Sequence, residues 1–334
     1  MSRVSKQEVY KTLGTSRQAL GQYFKRQAAY QSCVASVEWK LLLLRSDHGG
    51  IGLEKAYFKI APKCLGRDAF IREMTRRGHA LVRKSSYMRT TRSSGFRYPN
   101  LINELTIKGL NRVWQSDTTY YWVSGRFYYL TFILDLYSRL ITGYYVSDHL
   151  RAEANISALK MAFRTRRGMS LNELIFHSDG ATQYRAHNFT ELLRKKYISS
   201  SMCCSALNNA YAEKINDVIK NEYLRYWSID SFTELRKAVK RAVSNYNTKR
   251  PHGQLPDRLA PADFEYYLYS NTNQDHPGLY IKDGQSWEWE HNPVAVQNLP
   301  YPSSAAGAGI KQILPAFVQL DVPKKDQQLS LKLV

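Results

Sequence analysis

Apolar and polar positions alternate along Val113–Val123, a stretch rich in Thr and Tyr, and that period of two predicts a strand. Gly125-Arg126 marks a turn. Phe127–Leu134 follows as a second, largely apolar strand, expected at the centre of a sheet, and Arg139–Val146 as a third. Beyond it the period lengthens. Ile156, Leu159 and Phe163 share one helical face over Ala152–Phe163. Glu173–His177 is a short strand running into Ser178-Asp179-Gly180. Asn188–Lys196 is a helix, Ile198–Met202 a fifth strand, and Asn209–Tyr226 and Ser231–Asn247 two longer helices. The order β-β-β-α-β-α-β-α-α predicts one α/β domain over residues 111–268, with a mixed five-stranded sheet and helices packed on it.

The flanks carry weaker patterns. Ser5 opens a short helix through Tyr10, Leu13-Gly14-Thr15 interrupts it, and Ser16 caps a second helix with Ala19, Leu20, Tyr23 and Phe24 on one face. This reads as a helix-turn-helix candidate, whose exposed side presents Arg17, Lys25 and Arg26 to bases or phosphates. Residues 32–46 are read as a separate helix, which closes a first region at 46. Helices over about 52–61 and 68–78 make a second small helical region, 47–80, with Arg72, Arg76 and Arg77 on the latter helix. No hydrophobic period survives in 81–100, where Arg83, Lys84, Arg89 and Arg92 lie among serines. Residues 81–110 are therefore expected as a basic linker lying on DNA. In the tail, 269–334, Leu279–Glu290 reads as a hairpin turning at Asp283-Gly284 and Ile310–Val322 as a further strand pair, a small β-rich unit.

Charge sharpens this picture. The chain of 334 residues has a formal net charge of +20. Residues 1–110 hold 21 basic and 7 acidic residues, residues 111–268 hold 22 and 15, and residues 269–334 hold 5 and 6. Positive charge placed in the helical N-terminal part and the core points to a polyanion, most commonly nucleic acid. No apolar run approaches the ~18 residues of a spanning helix, and no apolar signal segment follows the N-terminus, so the expectation is an intracellular protein without membrane contact. Four cysteines without a CxxC spacing, Cys33, Cys64, Cys203 and Cys204, are expected as free thiols.

Three carboxylates stand out by position. Asp117 lies mid-strand, where an unpaired charge is costly. Asp179 sits just past a strand end, and Glu213 on a helix with Asn216, Asp217 and Lys220 near the same face. Oxygen ligands from two strands and a helix suit a pair of hard cations such as Mg²⁺, which can activate a water or 3′-hydroxyl and stabilise the leaving oxygen of a phosphodiester. On pattern alone, three solvated surface carboxylates are an equal alternative.

The motifs decide between them. Asn111-Arg112-Val113-Trp114-Gln115-Ser116-Asp117-Thr118-Thr119-Tyr120, Asp135-Leu136-Tyr137-Ser138-Arg139, His177-Ser178-Asp179 with Gln183-Tyr184, Asn209-Ala210-Tyr211-Ala212-Glu213, and Tyr246-Asn247 with Arg250-Pro251-His252 occur in order. Pro261 and Phe264 close the series. In this order they resemble the retroviral-integrase-like core of bacterial insertion-sequence DDE transposases of the second-frame type, a member of the RNase H-like fold. Residues 47–110 resemble the same family around His48, Gly52, Gly66–Phe70 and Tyr98–Leu101.

The resemblance implies the chemistry. Asp117, Asp179 and Glu213 are expected to bind two Mg²⁺, with Mn²⁺ as a substitute. The enzyme is expected to nick the element's ends by hydrolysis and join the 3′-OH to DNA by direct transesterification, without a covalent protein–DNA intermediate. Lys220 matches a residue that contacts end DNA. Arg250 and His252 are expected to brace DNA or the helix behind the site, and His177 to order the Asp179 loop. The implied partners are the terminal inverted repeats and target DNA as double strands, at least one further copy of the chain, and an upstream-frame helix-turn-helix protein. The implied place is the cytoplasm, at the nucleoid. Departures are a shorter Asp179–Glu213 interval, Asn208 where Asp is common and Gly180 where Arg or His is common. The alternatives are a catalytically silent DNA-binding derivative, which would bind without chemistry, and a plain RNase H-like nuclease, which would leave the basic N-terminal helices unexplained.

Overall fold

The computed structural model describes residues 10–12, 14–81, 98–203, 209–270, 278–282 and 286–289. The segment up to Val9, the basic stretch 82–97 with Arg83, Lys84, Arg89 and Arg92, residues 204–208, and the predicted strand pair Ile310–Val322 lie outside them. The chain divides into two units, residues 1–87 and 88–334.

In the first unit, α1 spans Arg17–Asp47 without a break. The Ser16 hydroxyl caps it by accepting from the Ala19 amide at 3.0 Å. The separate helix expected over 32–46 is therefore corrected, because no glycine or proline follows Gly21 before the helix ends at Asp47. Gly14, left-handed at φ 58°, does separate Tyr10–Thr12 from α1. Helix α2 is Leu53–Ile60 and α3 is Arg67–Arg76. Val34, Val37 and Leu41 of α1 share one core with Ile51, Ala56, Leu65, Phe70 and Met74, so the expected regions 1–46 and 47–80 meet in it. Cys33 and Cys64 are joined by a disulfide, with Cα atoms 6.5 Å apart. This corrects the expectation of four free thiols; the fold-back of the chain after α2 brings together positions that sequence spacing does not connect.

The second unit is built on a five-stranded sheet. Its strands are β2 (Val113–Val123), β3 (Arg126–Asp135), β4 (Ile141–Ser147), β5 (Ile175–Ser178) and β6 (Ser199–Met202), in the order β4-β3-β2-β5-β6. The first three pair antiparallel, while β5 runs parallel to both β2 and β6. This is the expected RNase H-like mixed sheet. The middle strand is β2, where the sequence suggested β3. Ser124 and Gly125 both take positive φ at the β2–β3 turn, as a two-residue hairpin turn requires. A short β1 (Thr106–Ile107) lies outside this sheet; it pairs with β7 (Leu279–Lys282), and β7 with β8 (Ser286–Trp289).

Helices cover both faces. Helix α4 (Ala152–Thr165) crosses β4, and Gly143 permits the approach: a Cβ there would stand 2.3 Å from the Ala158 carbonyl oxygen. Trp114, Ile133, Ala158, Leu159, Phe176, Tyr184 and Phe189 fill the core on this side, with α5 (Thr182–Arg185) and α6 (His187–Arg194). On the other face α7 (Ala210–Val218), α8 (Phe232–Thr248) and α9 (Pro261–Ser270) pack against Val113, Leu130, Phe132 and Leu134. The regular helix expected over 209–226 instead widens after Val218 into a π-turn over Ile219–Tyr223 and tightens into a 3₁₀ turn. Residues 98–110, expected as the end of the linker, pack on this unit: Ile102 and Ile107 are buried, and the Leu101 amide donates to the Ser201 hydroxyl at 2.9 Å. The predicted hairpin of the tail forms as β7–β8, and Trp289 lies against Tyr137 and Phe264.

A fully buried ion cluster fastens these layers. The Arg166 guanidinium, at the end of α4, donates to both oxygens of Glu265 on α9 at 2.5 and 2.6 Å, and to Asp135 at 3.3 Å. Asp135 also accepts from the Asn111 and Tyr137 amides, and Ser138 donates to Glu265. Burial drives the Asp135 carboxyl upward against the pull of Arg166. Removing one member of such a cluster strands buried charge. Arg166→Met is expected to cost about 3–5 kcal/mol of unfolding free energy, measured by urea denaturation; a loss under about 1 kcal/mol would refute this role.

Candidate active site

The sheet register sets two carboxylates side by side. Parallel pairing of β2 with β5 runs from Val113↔Ile175 to Ser116↔Ser178. Asp117 and Asp179 are each the next residue, so they stand at corresponding positions of neighbouring chains. Paired strands lie about 4.8 Å apart. Strand β5 ends there, while β2 continues along β3, so Asp179 sits at the carboxyl end of its strand. Side chains alternate along β2. Trp114 enters the core under α4 and Val113 the core under α8, which puts Asp117 on the face that carries α7.

Helix α7 contributes the third carboxylate from one face. Asn209, the residue before its first turn, donates from its amide to the Ser116 carbonyl oxygen at 3.1 Å. Asn216 donates to Asp117 Oδ2 at 2.7 Å, and Lys220 to the Thr119 hydroxyl at 2.8 Å. These three contacts lay the helix along β2. Glu213 follows Asn209 by four residues and precedes Asn216 by three, so it belongs to the same face. Its side chain is exposed. Asp217, four residues after Glu213, is exposed as well and meets Lys214 and Asn221 at 3.4 and 2.6 Å.

The electrostatics record the crowding. Burial and then the Asp179 charge push the Asp117 carboxyl up to about 8, with Glu213 adding to the effect. The Thr118 amide, at 2.8 Å from Oδ1, and Asn216 pull the other way without prevailing. Glu213 is also raised, by burial and by Asp179. Burial lowers Lys220. Around the carboxylates, Asn209 Oδ1, Asn216 Oδ1 and both amide atoms of Gln115 are buried without a hydrogen-bond partner. The site thus holds an excess of negative charge and of oxygen acceptors. Among the described residues no group of three His, Cys, Asp or Glu side chains is gathered closely enough to hold a metal ion.

The other residues singled out in the sequence fall into three groups. Lys220 lies beside the carboxylates, 5.7 Å from the Tyr120 ring. Arg250 is buried and grips Glu222 of the π-turn through two bonds of 2.7 and 2.9 Å, so it braces the helix behind the site and is not exposed to DNA. His252 stands next to it, 6.4 Å from the Tyr246 ring. His177 bonds to Ser201 on β6 at 2.9 Å, fastening the strand that presents Asp179. In the N-terminal unit Arg17, Lys25, Arg26, Arg72 and Arg76 are exposed, Arg76 with an ion pair to Glu73. Arg77 is engaged internally, by Glu38 at 2.8 Å and Glu73 at 3.3 Å. Sequence reasoning missed the role of Asn209; its place four residues before Glu213 was the available signal.

Comparison with known proteins agrees with this geometry. Residues 108–206 and 198–259 each match a family model described as "Integrase core domain". The chain is 29% identical over 176 residues to a protein of insertion sequence element IS986/IS6110 from Mycobacterium tuberculosis, covering 50% of this chain and 62% of that relative. It is 29% identical to the transposase for IS904 of Lactococcus lactis, covering 51% and 67%, and 28% identical to the transposase for IS629 of Shigella sonnei, covering 49% and 55%. The chain thus spans 62% of the length of the first of these relatives. Among solved structures, the HTLV-2 integrase catalytic core domain in complex with magnesium aligns at a TM-score of 0.39 and 20% identity, over 49% of this chain and 98% of that one. Residues 108–259 match the integrase core models, and over about half its length the chain is similar to transposases of bacterial insertion sequences.

Proposed function

We propose that the protein is a DNA transposase that nicks the ends of its element by metal-dependent hydrolysis and joins the freed 3′-OH to another phosphodiester by transesterification. The observation that carries this reading is the convergence of Asp117 and Asp179, on adjacent parallel strands, with the α7 face that bears Glu213. Three carboxylates drawn together suit hard divalent cations, and Asp117, Asp179 and Glu213 are the residues to hold two Mg²⁺. Bound there, such a pair supplies Lewis-acid activation of the attacking oxygen and stabilises the leaving oxygen. Asn216 and the Thr118 amide each hold one oxygen of Asp117 and fix its orientation. Lys220, anchored on Thr119, gives a positive charge beside the site for the phosphate backbone. The partners of this reading are double-stranded terminal repeats and target DNA, a second copy of the chain, since two ends must be paired, and an upstream-frame protein. The exposed Arg17, Lys25, Arg26, Arg72 and Arg76 supply further phosphate contacts. No helix among the described residues is long and apolar enough to cross a membrane.

The test uses labelled DNA from the ends of the protein's own element with Mg²⁺. Discrete nicks and joined products are expected from the wild type and none from Asp179→Asn or Glu213→Gln. Binding without products, with Mn²⁺ also tried, would overturn the enzymatic reading in favour of a silent DNA-binding protein. Asn216→Ala removes only an orienting bond, so joining is expected to fall roughly 10- to 100-fold at unchanged DNA affinity; an unaltered rate would remove Asn216 from the machinery.

A pH dependence follows from Asp117. Its carboxyl moves from an ordinary value of 3.8 to about 8 in the folded, cation-free protein. Between those values the folded state holds a proton that the unfolded chain has lost, so stability falls as pH rises. Asp117→Asn is expected to flatten that fall and to melt higher than the wild type at pH 8 without cation. Added Mg²⁺ is expected to raise the melting temperature of the wild type and not of Asp117→Asn. Parallel melting curves for the two proteins would contradict both statements.

A further inference from the structure

Helix α8 is amphipathic, and its outer face carries one sign of charge. Leu235, Val239, Ala242, Val243 and Tyr246 bury one side in the core. On the other side Arg236, Lys237, Lys240 and Arg241 are all exposed, within ~140° of the circumference at ~100° per residue. From Leu235 to Pro256 the chain holds six Lys or Arg and no Asp or Glu. Of the six only Arg250 is buried, on Glu222. The carboxylates at the start of the helix are engaged locally: Glu234 accepts from the Asp230 amide at 2.8 Å, and Asp230 from the Ser228 hydroxyl at 3.1 Å. Arg236 with Lys240, and Lys237 with Arg241, are like-charge pairs four residues apart, which weaken a helix unless an anion lies against them.

The stripe continues toward the carboxylate site. Lys220 is anchored on Thr119, two residues beyond Asp117 and on the same face of β2. Arg225 is exposed on the 3₁₀ turn that follows. Burial raises the Tyr121 hydroxyl and the Arg225 charge opposes the rise, so Arg225 lies by the next residue of that face. Trp227, just after the turn, carries Arg241 of α8 at 4.7 Å from its ring. The cations thus step outward along β2, ~14 Å from Asp117 to Tyr121 at ~3.4 Å per residue, and then across to α8. All lie on the side of the sheet that carries α7, the side to which Asp117 points. This continuity names the occupant. A two-fold pairing of copies on this face would set the stripe against itself, which like charge opposes. A duplex leaving a phosphodiester-cutting site presents one phosphate charge per ~1.7 Å of its axis, and cations ~6 Å apart along a helix meet it without reading bases.

We propose that Arg236, Lys237, Lys240 and Arg241, continued by Arg225 toward Lys220, form a track for the phosphate backbone of the double-stranded DNA held at the carboxylate site. The inference rests on the transposase reading for the identity of that duplex. The track supplies affinity without sequence preference, so recognition of the element's ends falls to other parts of the chain.

The test measures binding of the full chain, without divalent cation, to two labelled duplexes of equal length, one an element end and one of unrelated sequence, by fluorescence anisotropy across a salt series. Arg236→Gln/Lys237→Gln/Lys240→Gln is expected to lose affinity about 10- to 100-fold at ~0.1 M salt, equally for both duplexes, and to flatten the slope of log affinity against log salt by about 2 to 3, near 0.9 per phosphate contact. Arg225→Gln alone is expected to flatten it by about 1. Arg236→Lys/Lys237→Arg/Lys240→Arg keeps the charges and is expected to bind as the wild type does. Gln is close to Lys and Arg in helix propensity, and circular dichroism checks that each variant is folded. Unchanged affinity and slope in the triple Gln variant would overturn the proposal. So would a loss confined to the element end, which would make the stripe a reader of sequence, and so would a loss of self-association alone by sedimentation, which would assign the face to a second copy of the chain. Because this readout needs no chemistry, it is separate from the joining assay: the expected loss of binding beside a wild type that joins no ends sinks the transposase reading and leaves the track, and joining by a wild type whose affinity the triple Gln variant matches does the reverse.

Discussion

One guanidinium ties the layers of the second unit together. Arg166 ends α4, Asp135 ends β3 and Glu265 lies on α9, and all three are sealed from water. Asp135 uses its other bonds on the amides of Asn111 and Tyr137, which fixes where β2 begins and how the chain leaves β3. The register of β2 follows from that start, and with it the position of Asp117 opposite Asp179. A slip of one residue would turn Asp117 to the other face. The buried charge therefore acts at a distance of several residues on the site, through the strand that joins them.

The site is stable for a different reason from the cluster beneath it. In the cluster each carboxylate meets a cation or several amides. At the site Asp117 is crowded by two like charges and offset by two neutral donors. Such an arrangement opposes folding and is held in place by the core around it, the usual cost of a functional constellation. The helix that carries Glu213 is attached by amide and ammonium contacts to β2, so the third carboxylate depends on polar bonds where the other two depend on the sheet ladder.

Much of this was legible in the sequence because the signals are local. The alternation in Val113–Val123 gave the strand to the residue, and Ser16 gave the start of α1. The three carboxylates were marked by their motifs and by an aspartate inside a strand. What escaped was non-local. The pairing of Cys33 with Cys64, the joining of Thr106–Ile107 to a hairpin more than 170 residues later, and the burial of Arg250 on Glu222 depend on approaches that no period reports. Arginine in a basic chain reads as a DNA contact; Arg77 and Arg250 each found carboxylates of the protein instead.

The π-turn after Val218 bears on how this chain can change over generations. A turn with one residue more than an α-helix shifts every later side chain by about 100° around the axis. Ile219, Tyr223 and Leu224 are buried in the present count, and Glu222 meets Arg250. Deleting a single residue between 219 and 223 would restore a regular helix and rotate Tyr223, Leu224 and the following turn out of register, while Asn209, Glu213 and Asn216 stayed where they are. The constraint therefore falls on length before identity: exchanging the exposed Asn221 or Arg225 disturbs no buried contact of this register, whereas an indel displaces all of them.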